Sequence, residues 1–374
     1  MPEVEYRLFF DNNAAARQQL DMIEEITVDQ EVDMAWEARL QIPISVDEQG
    51  NWTREDEDFM RPFSRVRIEI KIAEDFVPLF DGPVTGFDSR MISEPGQSTL
   101  TLIALDDSFF LNRVEQVARF ENKLDHEVAE QIFSDFSSLI ASTEIENTPS
   151  TGSALPLLVV QRGTAMQILR TLARRQGMHV YVLPGEEPGQ GIGCFKPFPT
   201  EPDGLPPLIL LGPDRNIDSL DISYCACKPS DATASILRIT DKSIVTETSR
   251  TSDVEAMGDE AEGPGYTDTA LQFLAPIQGE SVDLRQAVFA AVDASGYAYN
   301  VTGSILEDTY AAVLQPYNVV TVRAGNTPIS GDYLVIKTTH KITRSTYSQS
   351  FTLKRNARSS RFNAGQANGA GGIF

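Results

Sequence analysis

The sequence predicts a β-rich α+β fold, with strand-dominated regions at both ends of the chain and a smaller α/β unit between them. Three observations carry this. Apolar and polar side chains alternate by two in Arg65–Ile72 and again in Ser98–Leu105. Helical periodicity takes over in separate stretches between Lys123 and Gly296. From Tyr297 to Arg355 the pattern returns to strands and turns. A period of two marks a sheet with one face on a core, and recurrence at three and four marks one face of a helix.

The first 113 residues read as mostly strand, in an antiparallel barrel or sandwich pattern. In RVRIEIKI, Val66, Ile68, Ile70 and Ile72 point one way, and Arg65, Arg67, Glu69 and Lys71 the other, as in a strand with one wet face. STLTLIAL turns Leu100, Leu102 and Ala104 inward. Between the two strands, Asp81-Gly82-Pro83 carries turn chemistry. The acidic stretch from Asp47 to Asp58 reads as a long loop.

The middle of the chain changes character. KLDHEVAEQIFSDF spaces Leu124, Val128, Ile132 and Phe136 by four, one stripe of a helix. After the strand LPLLVVQ, Thr164 and Gln167 form a capping box. Ile168, Leu169 and Leu172 supply the apolar face, and Gly177 ends the helix. HVYVL is a strand, and PGEEPGQGIG a turn or loop. The Pro- and Gly-rich stretch Pro199–Pro213 reads as a crossing linker, after which IDSLDISYCAC and ASILRITDKSIVTET resume strands. Asp253–Gly265 holds five acids and no base, as a solvated loop does. SVDLRQAVFAAVDASG is a third helix, with N-cap Ser281, stripe Leu284, Val288 and Val292, and a stop at Gly296. These signals divide the chain into 1–113, a first β region; 114–212, the first part of the α/β unit; 213–250, the first part of a second β region; 251–297, the acidic loop and helix of the α/β unit; 298–356, the rest of the second β region; and a tail, 357–374.

Composition narrows the function. The chain has 374 residues, 41% of them apolar, which suffices for real cores. Its 31 basic and 54 acidic residues give a net charge of −23. That argues against specific nucleic-acid binding and against docking on an anionic membrane. No secretory leader and no run of about 18 apolar residues is visible, so membrane insertion is not expected. Three cysteines, Cys194, Cys225 and Cys227, fit a reducing compartment without a disulfide framework. Cys225-x-Cys227 reads as two small buried hydrophobes rather than half a zinc site. His126 reads as a surface or capping residue, and His179 as packing. His340, in a strand beside Val335, Ile336 and Ile342, reads as a structural residue whose buried hydrogen bond holds register. GQGIG leads into CFKPFP, which cannot form the helix that a dinucleotide loop needs. No nucleophile elbow, metal-ligand spacing or carboxylate pair stands out. No catalytic, cofactor-binding or metal-ligating residue is therefore assigned, and no cofactor is expected.

The segment GDYLVIKTTHKITRSTYSQSFTLKRN carries a family resemblance. Gly331, Tyr333, Val335, His340, Tyr347, Phe351, Leu353 and Arg355 fall in the order of the closing segment of the late control D family. These are the hub proteins of contractile phage tails, related to the hub part of VgrG spikes. Leu79–Phe87 resembles the family's aromatic-x-Gly-x-hydrophobic turn. Leu100–Arg113 resembles the end of its first barrel, and Val159–Val182 its strand, capped helix, glycine and strand. Thr164 stands where many members carry an acid. No spike-like segment follows, which suggests a hub whose spike is a separate protein.

The resemblance implies two tube-like antiparallel β-barrel domains with an inserted small α/β domain, assembling as a pseudo-sixfold trimer. It implies a non-enzymatic baseplate hub at the distal end of the tail in the virion, assembled in the host cytoplasm. Such a ring adapts the sixfold tail tube to the threefold central spike and lines the channel for genome ejection. Implied partners are a second and third copy of the chain, the tail tube protein, the central spike protein, baseplate wedge proteins and the tape measure protein. Two alternatives stay open: the hub of a phage-related contractile injection system, and a tail-associated cell-wall hydrolase. The tail itself is Gly-rich, bears Arg355, Arg358 and Arg361 without an acid, and holds Phe362, Ile373 and Phe374. It is read as a segment that orders on docking, with Phe362, Ile373 and Phe374 as anchors and Arg358 and Arg361 pairing acids on the partner.

Overall fold

The structure, a computed structural model, describes residues 5–53, 57–149, 158–225, 231–237, 241–249, 254–261, 270–274, 283–307 and 309–358. The first stretch supplies β1 (Tyr6–Phe10), β2 (Asn13–Ala14), α1 (Arg17–Met22), β3 (Glu25–Glu31), β4 (Glu37–Pro43), β5 (Arg65–Ile72), β6 (Asp75–Arg90), β7 (Thr99–Leu105) and α2 (Ser108–Leu111). The middle supplies β8 (Glu115–Glu121), α3 (Asp125–Asp135), β9 (Ile140–Ile145), β10 (Leu158–Thr164), α4 (Ala165–Arg175), β11 (His179–Pro184), β12 (Gly191–Lys196) and β13 (Leu208–Ile209). Then come β14 (Ile217–Tyr224), β15 (Asp231–Leu237), β16 (Ile244–Ser249), β17 (Glu260–Ala261), β18 (Leu271–Phe273) and α5 (Leu284–Gly296). The last are β19 (Tyr299–Ile305), β20 (Val319–Arg323), β21 (Gly331–Thr343), β22 (Tyr347–Arg355) and β23 (Ala357–Arg358). The chain is thus β-rich α+β with large antiparallel sheets.

One sheet joins the two ends of the chain. Its strands run β14-β19-β22-β21-β3-β4-β7-β6, every neighbour antiparallel, and continue through β5, β1 and β2. In the N-terminal half β5 and β1 lie over β3, β4 and β7. Leu8, Ile26, Leu40, Val66, Ile68 and Leu102 close one core between them. In the C-terminal half Val301, Val320, Tyr333, Val335, Phe351 and Leu353 form a second core. The α/β material has a core of its own, where Val128, Ile132 and Phe133 of α3 meet Leu169 and Leu172 of α4 and Val180 of β11. A small sheet, β16-β15-β18, packs on Leu284, Val288 and Val292 of α5. α4 begins as its sequence predicts, with Thr164 Oγ1 accepting from the Gln167 amide at 3.2 Å and Gln167 Oε1 accepting from the Thr164 amide at 3.0 Å. Gly177, at φ +69°, turns the chain after it.

Four expectations are corrected, and one helix was missed. Asp81-Gly82-Pro83 makes no turn: β6 runs through it for 16 residues. It pairs first with β5 and then with β7, so it is the corner strand between layers. Gly82 is needed there because a Cβ would lie 2.0 Å from the Leu105 carbonyl oxygen. α5 is capped by Asp283, whose carboxylate accepts from the Gln286 amide at 3.2 Å, and Ser281, the expected cap, lies outside the described residues. α1 was hidden in the sequence because none of its residues is buried. The acidic stretch after residue 253 is not simply solvated, since Met257 is buried and its amide donates to Asn356 Oδ1 at 2.9 Å. Arg355 is 1% exposed and donates to the Met257 carbonyl at 3.0 and 2.8 Å, so it belongs to the folded end.

The polar face of β5 also departs from expectation, because Arg67 and Glu69 are buried. Arg67 is 1% exposed. Its guanidinium donates to Glu69 at 2.7 Å, Asp81 at 3.3 Å, and the carbonyls of Gly185, Glu186 and Glu187 at 2.8, 2.9 and 3.3 Å. Asp81 Oδ2 in turn accepts from the Gly189 amide at 2.9 Å. Arg65 pairs with Asp81 at 2.7 Å and with Asp107 at 2.5 Å. The β11–β12 connection therefore covers β5, and a buried guanidinium fastens the α/β unit to the N-terminal half.

The two halves meet where β3 pairs with β21, Val28 opposite His340 and Ile26 opposite Ile342. Gln30 and His340 are both fully buried there. Gln30 Nε2 donates to the Leu79 carbonyl at 2.7 Å, so its Oε1 is the acceptor for Thr338 Oγ1 at 2.8 Å. That acceptor also faces His340 Nε2 at 3.2 Å, which fixes the proton on Nε2 and leaves Nδ1 to accept from the Tyr347 hydroxyl at 3.0 Å. Burial holds the imidazole neutral, its pKa pushed down to about 3. His340 is thus a structural residue that holds register, as read from sequence, but with two hydrogen bonds rather than one.

Two outcomes follow. Arg67→Met should destabilise the chain by about 3–5 kcal/mol in chemical denaturation, because it leaves buried carboxylates uncompensated. Amide exchange should quicken selectively in residues 185–190, and unchanged exchange there would show that the contact fastens nothing. His340 binds its proton only in the unfolded chain between pH 6.5 and about 3. Its contribution is therefore complete above pH 6.5 and falls by about 1.4 kcal/mol per unit on acidification through that window. Asp106, which burial holds up at about 6, works in the opposite sense between pH 4 and 6. The comparison is thus between proteins. His340→Gln should be less stable at pH 8 by about 1–3 kcal/mol, yet lose less stability than the parent from pH 8 to 5. Parallel pH profiles would contradict a buried neutral imidazole.

Candidate functional site

The two faces of the joined sheet differ in kind. Along β3, Ile26, Val28 and Gln30 are buried while Glu25, Thr27, Asp29 and Glu31 look outward. The same alternation gives Glu37, Arg39 and Gln41 on β4, and Thr99 and Thr101 on β7. Register carries it across the seam to Lys337, Thr339 and Lys341 of β21, and from there to Thr352, Thr302 and Asp221. At the opposite end Asp88 stands opposite Thr101 and Arg90 opposite Thr99. The result is a polar wall eight strands wide. Ion pairs stitch it, with Lys337–Glu31 at 2.8 Å, Lys341–Glu25 at 2.9 Å and Arg39–Glu37 at 2.5 Å. Being exposed, these pairs contribute well under 1 kcal/mol each, so their effect is to neutralise the wall more than to stabilise it.

The remaining histidines serve packing and local turns. His126 accepts from the Thr148 amide through Nδ1 at 3.0 Å near the start of α3. His179 stacks on Phe198 at 3.6 Å and meets Asp33 at 3.0 Å, which helps hold the Asp33 carboxyl below its usual range despite burial. Beside this pair a cavity of about 540 Å³ opens between α4 and α5, walled by Phe198, Tyr297, Met178 and alanines of α5. Among the described residues no group of three or more His, Cys, Asp or Glu is placed to hold a metal ion. No helix of the described residues is long and apolar enough to cross a membrane. Of the cysteines, Cys194 is free and buried, with its thiol pushed up to about 12 by burial. Cys225 is half-buried and disulfide-bonded, so reading it as a small buried hydrophobe was wrong. Cys227 lies outside the described residues.

Of the five proposed interface residues only Arg358 is described. It is exposed, and its strand pairs with β17, opposite Glu260. Arg361, Phe362, Ile373 and Phe374 lie outside the described residues. The residue that sequence reasoning missed is Gln30. Its signal was present: ITVDQ places an amide where the alternation calls for a third inward apolar group, and TTH does the same on the strand that meets it.

No family model and no curated protein matches the sequence. Solved structures match the fold. The 43 kDa tail protein of prophage MuSo2 from Shewanella oneidensis superposes with a TM-score of 0.64 at 10% identity, over 94% of this chain and 98% of that one. The tail protein from Neisseria meningitidis MC58 gives 0.58 at 14% identity, over 94% and 97%. A component of the type VI secretion system of E. coli gives 0.54 at 12% identity, over 89% and 73%. The likeness spans nearly the whole of both tail proteins, so the resemblance read from short motifs holds at the level of fold: this chain has the fold of phage tail proteins.

Proposed function

We propose that the chain is a structural hub of a contractile phage tail. Three copies would form a ring that joins the sixfold tail tube to a threefold central spike and lines the passage for DNA. The observation that carries this reading is the seam between β3 and β21. It fuses two antiparallel halves into one sheet with a continuous polar face. Each half contributes four strands, so one chain can occupy two adjacent positions of a sixfold wall. In this reading the two halves are the tube-like barrels, with 114–212 and 251–297 as the inserted α/β domain. A polar, largely neutralised wall on a chain of net charge −23 would let DNA slide without capturing it. The fold shared with phage tail proteins supports a tail or baseplate role, and wedge and tape measure proteins are further partners in that setting. The likeness to the type VI component supports a second reading, the same hub in an injection machine other than a phage. The other alternative is a tail-associated cell-wall hydrolase, and clear lytic activity in a peptidoglycan zymogram would favour it.

Two measurements test the proposal. Mass in solution, or reconstruction of the assembled baseplate, should show three chains with each interface burying about 2,000 Å² or more. A stable monomer in the presence of tube and spike would overturn it. We also place the tail, through Phe362, Ile373 and Phe374 with Arg358 and Arg361, against the spike or between protomers. Fully buried, each apolar anchor would contribute about 1.5–3 kcal/mol. Ala357 is buried and Arg358 pairs with β17, so the informative truncation follows Arg358. It should keep the melting temperature and lose spike affinity, and unchanged affinity would make the tail a loose end.

A further inference from the structure

We propose that a ridge of aromatic, aliphatic and arginine side chains docks another baseplate protein that packs around the outside of the hub. The ridge runs from Phe63 through α2 onto the outer face of β8 and β10. The partner it fits has an apolar centre flanked by carboxylates. Where that partner stands rests on the ring reading above; the chemistry of the ridge does not.

The ridge begins at a strained backbone. Phe63, just before β5, has φ +70°. A bulky residue enters that region only where its surroundings hold it there. Here its amide donates to the Val84 carbonyl at 2.8 Å, and the Val84 amide donates to the Ser64 carbonyl at 2.8 Å. The Phe63 side chain is 45% exposed. Its ring lies 6.1 and 6.2 Å from those of Phe109 and Phe110 of α2, which are 5.5 Å apart. The Arg113 guanidinium sits over the Phe63 ring at 4.4 Å. None of the three rings belongs to the N-terminal core or to the core of the α/β unit.

The apolar surface continues past Arg113. Val114 is exposed, and Val117 of β8 is 78% exposed. On the inner face of the two-stranded sheet Phe120 and Val159 close on the α/β core. On the outer face register sets Arg162 opposite Val117 and Val160 opposite Arg119. Single exposed apolar groups are ordinary on a protein surface, but contiguous ones mark a contact. Aromatic side chains and arginines are also the residues that anchor protein interfaces.

Charge selects the partner. The chain carries a net charge of −23, and its exposed bases elsewhere hold carboxylates, as in Lys71–Glu5, Lys337–Glu31 and Lys341–Glu25. Arg113, Arg119 and Arg162 are exposed, and among the described residues none of them pairs with an acid. Each stands beside an exposed apolar group, so docking strips water from the guanidinium and calls for a carboxylate in its place. Glu115 and Glu121 lie at the two ends of β8. A polyanion crossing the ridge would meet both of them, whereas a protein surface with a few acids around an apolar plug meets the arginines between.

Place supplies the last argument. α2 and β8 join the N-terminal β region to the α/β unit. β5 covers the N-terminal core on the side away from the polar wall, and the α/β unit is fastened over β5 through Arg67. A wall that lines the channel therefore leaves the ridge at the periphery of the ring.

The test places a photo-crosslinking benzoylphenylalanine at Phe63, at Val117 and, on the polar wall, at Thr302, in chains assembled into particles. The first two positions should capture one and the same protein at a segment rich in Asp and Glu, and Thr302 should not. That protein should be neither a second copy of this chain nor the tube, spike or tape measure protein. With it purified, the full chain carrying Arg113→Glu, Arg119→Glu and Arg162→Glu should bind about tenfold or more weakly, with circular dichroism unchanged. Exchanging the captured acids for Lys should recover binding to that variant. Phe63→Gly, which suits the positive φ, should keep the fold and weaken binding by a similar factor. Capture that does not depend on charge, or capture of DNA at either position, overturns the proposal. No capture at either position in particles where the chain is trimeric removes the ridge contact and leaves the ring. Capture of the tape measure protein puts the ridge in the channel and overturns both the proposal and the orientation of the ring. A chain found in no tail, yet binding one protein through the same charges, keeps the ridge and removes the hub; without such binding both fall.

Discussion

Gln30 has nowhere to turn but the seam. Its amide is out of reach of water, and every partner it has is supplied by the meeting of the two halves: the Leu79 carbonyl from one, Thr338 and His340 from the other. A buried amide left short of a partner costs about 1–3 kcal/mol. A slip of β21 along β3 would strand several such groups at once. The apolar neighbours of the seam do not specify its register, since one branched aliphatic residue packs much like another. The polar centre does. Continuity of the sheet, the positions of both cores and the breadth of the polar wall all follow from it.

What the sequence revealed and what it hid follow a physical line. Signals that act within a few residues were legible. The alternation in STLTLIAL, the capping box at Thr164 and Gln167, and the stripe Leu284, Val288, Val292 each describe local geometry, and each is found in place. What failed depended on contacts far along the chain. Arg67 and Glu69 read as solvent-facing because nothing in RVRIEIKI announces that a connection more than a hundred residues later will lie over them. Asp81-Gly82-Pro83 has the composition of a turn, but its glycine answers to the Leu105 carbonyl against which it is pressed. Gln30 and His340 were visible as polar residues in inward positions, and only the fold shows that they answer one another.

The same contrast explains how the α/β unit is held. It has a complete apolar core of its own, so it needs the sheet for placement rather than for stability. Placement is given by the Arg67 guanidinium, which reaches three consecutive carbonyls from beneath, together with the Asp81–Gly189 and Asp33–His179 contacts. A lysine could not do this, because its donors radiate from one atom instead of lying in a planar fork.

The seam also sets a clock. Thr339 and Asp29, partners across it, are 310 positions apart in the chain. At about 5–20 residues per second of synthesis, β3 waits on the order of 15–60 seconds for the strand that will cover its edge. Through that interval the nascent N-terminal half carries a bare strand of alternating apolar residues, of the kind that invites mispairing with other chains on the same message. Docking of β21 is thus a late, long-range step in folding. The two halves must find each other before the sheet can be complete.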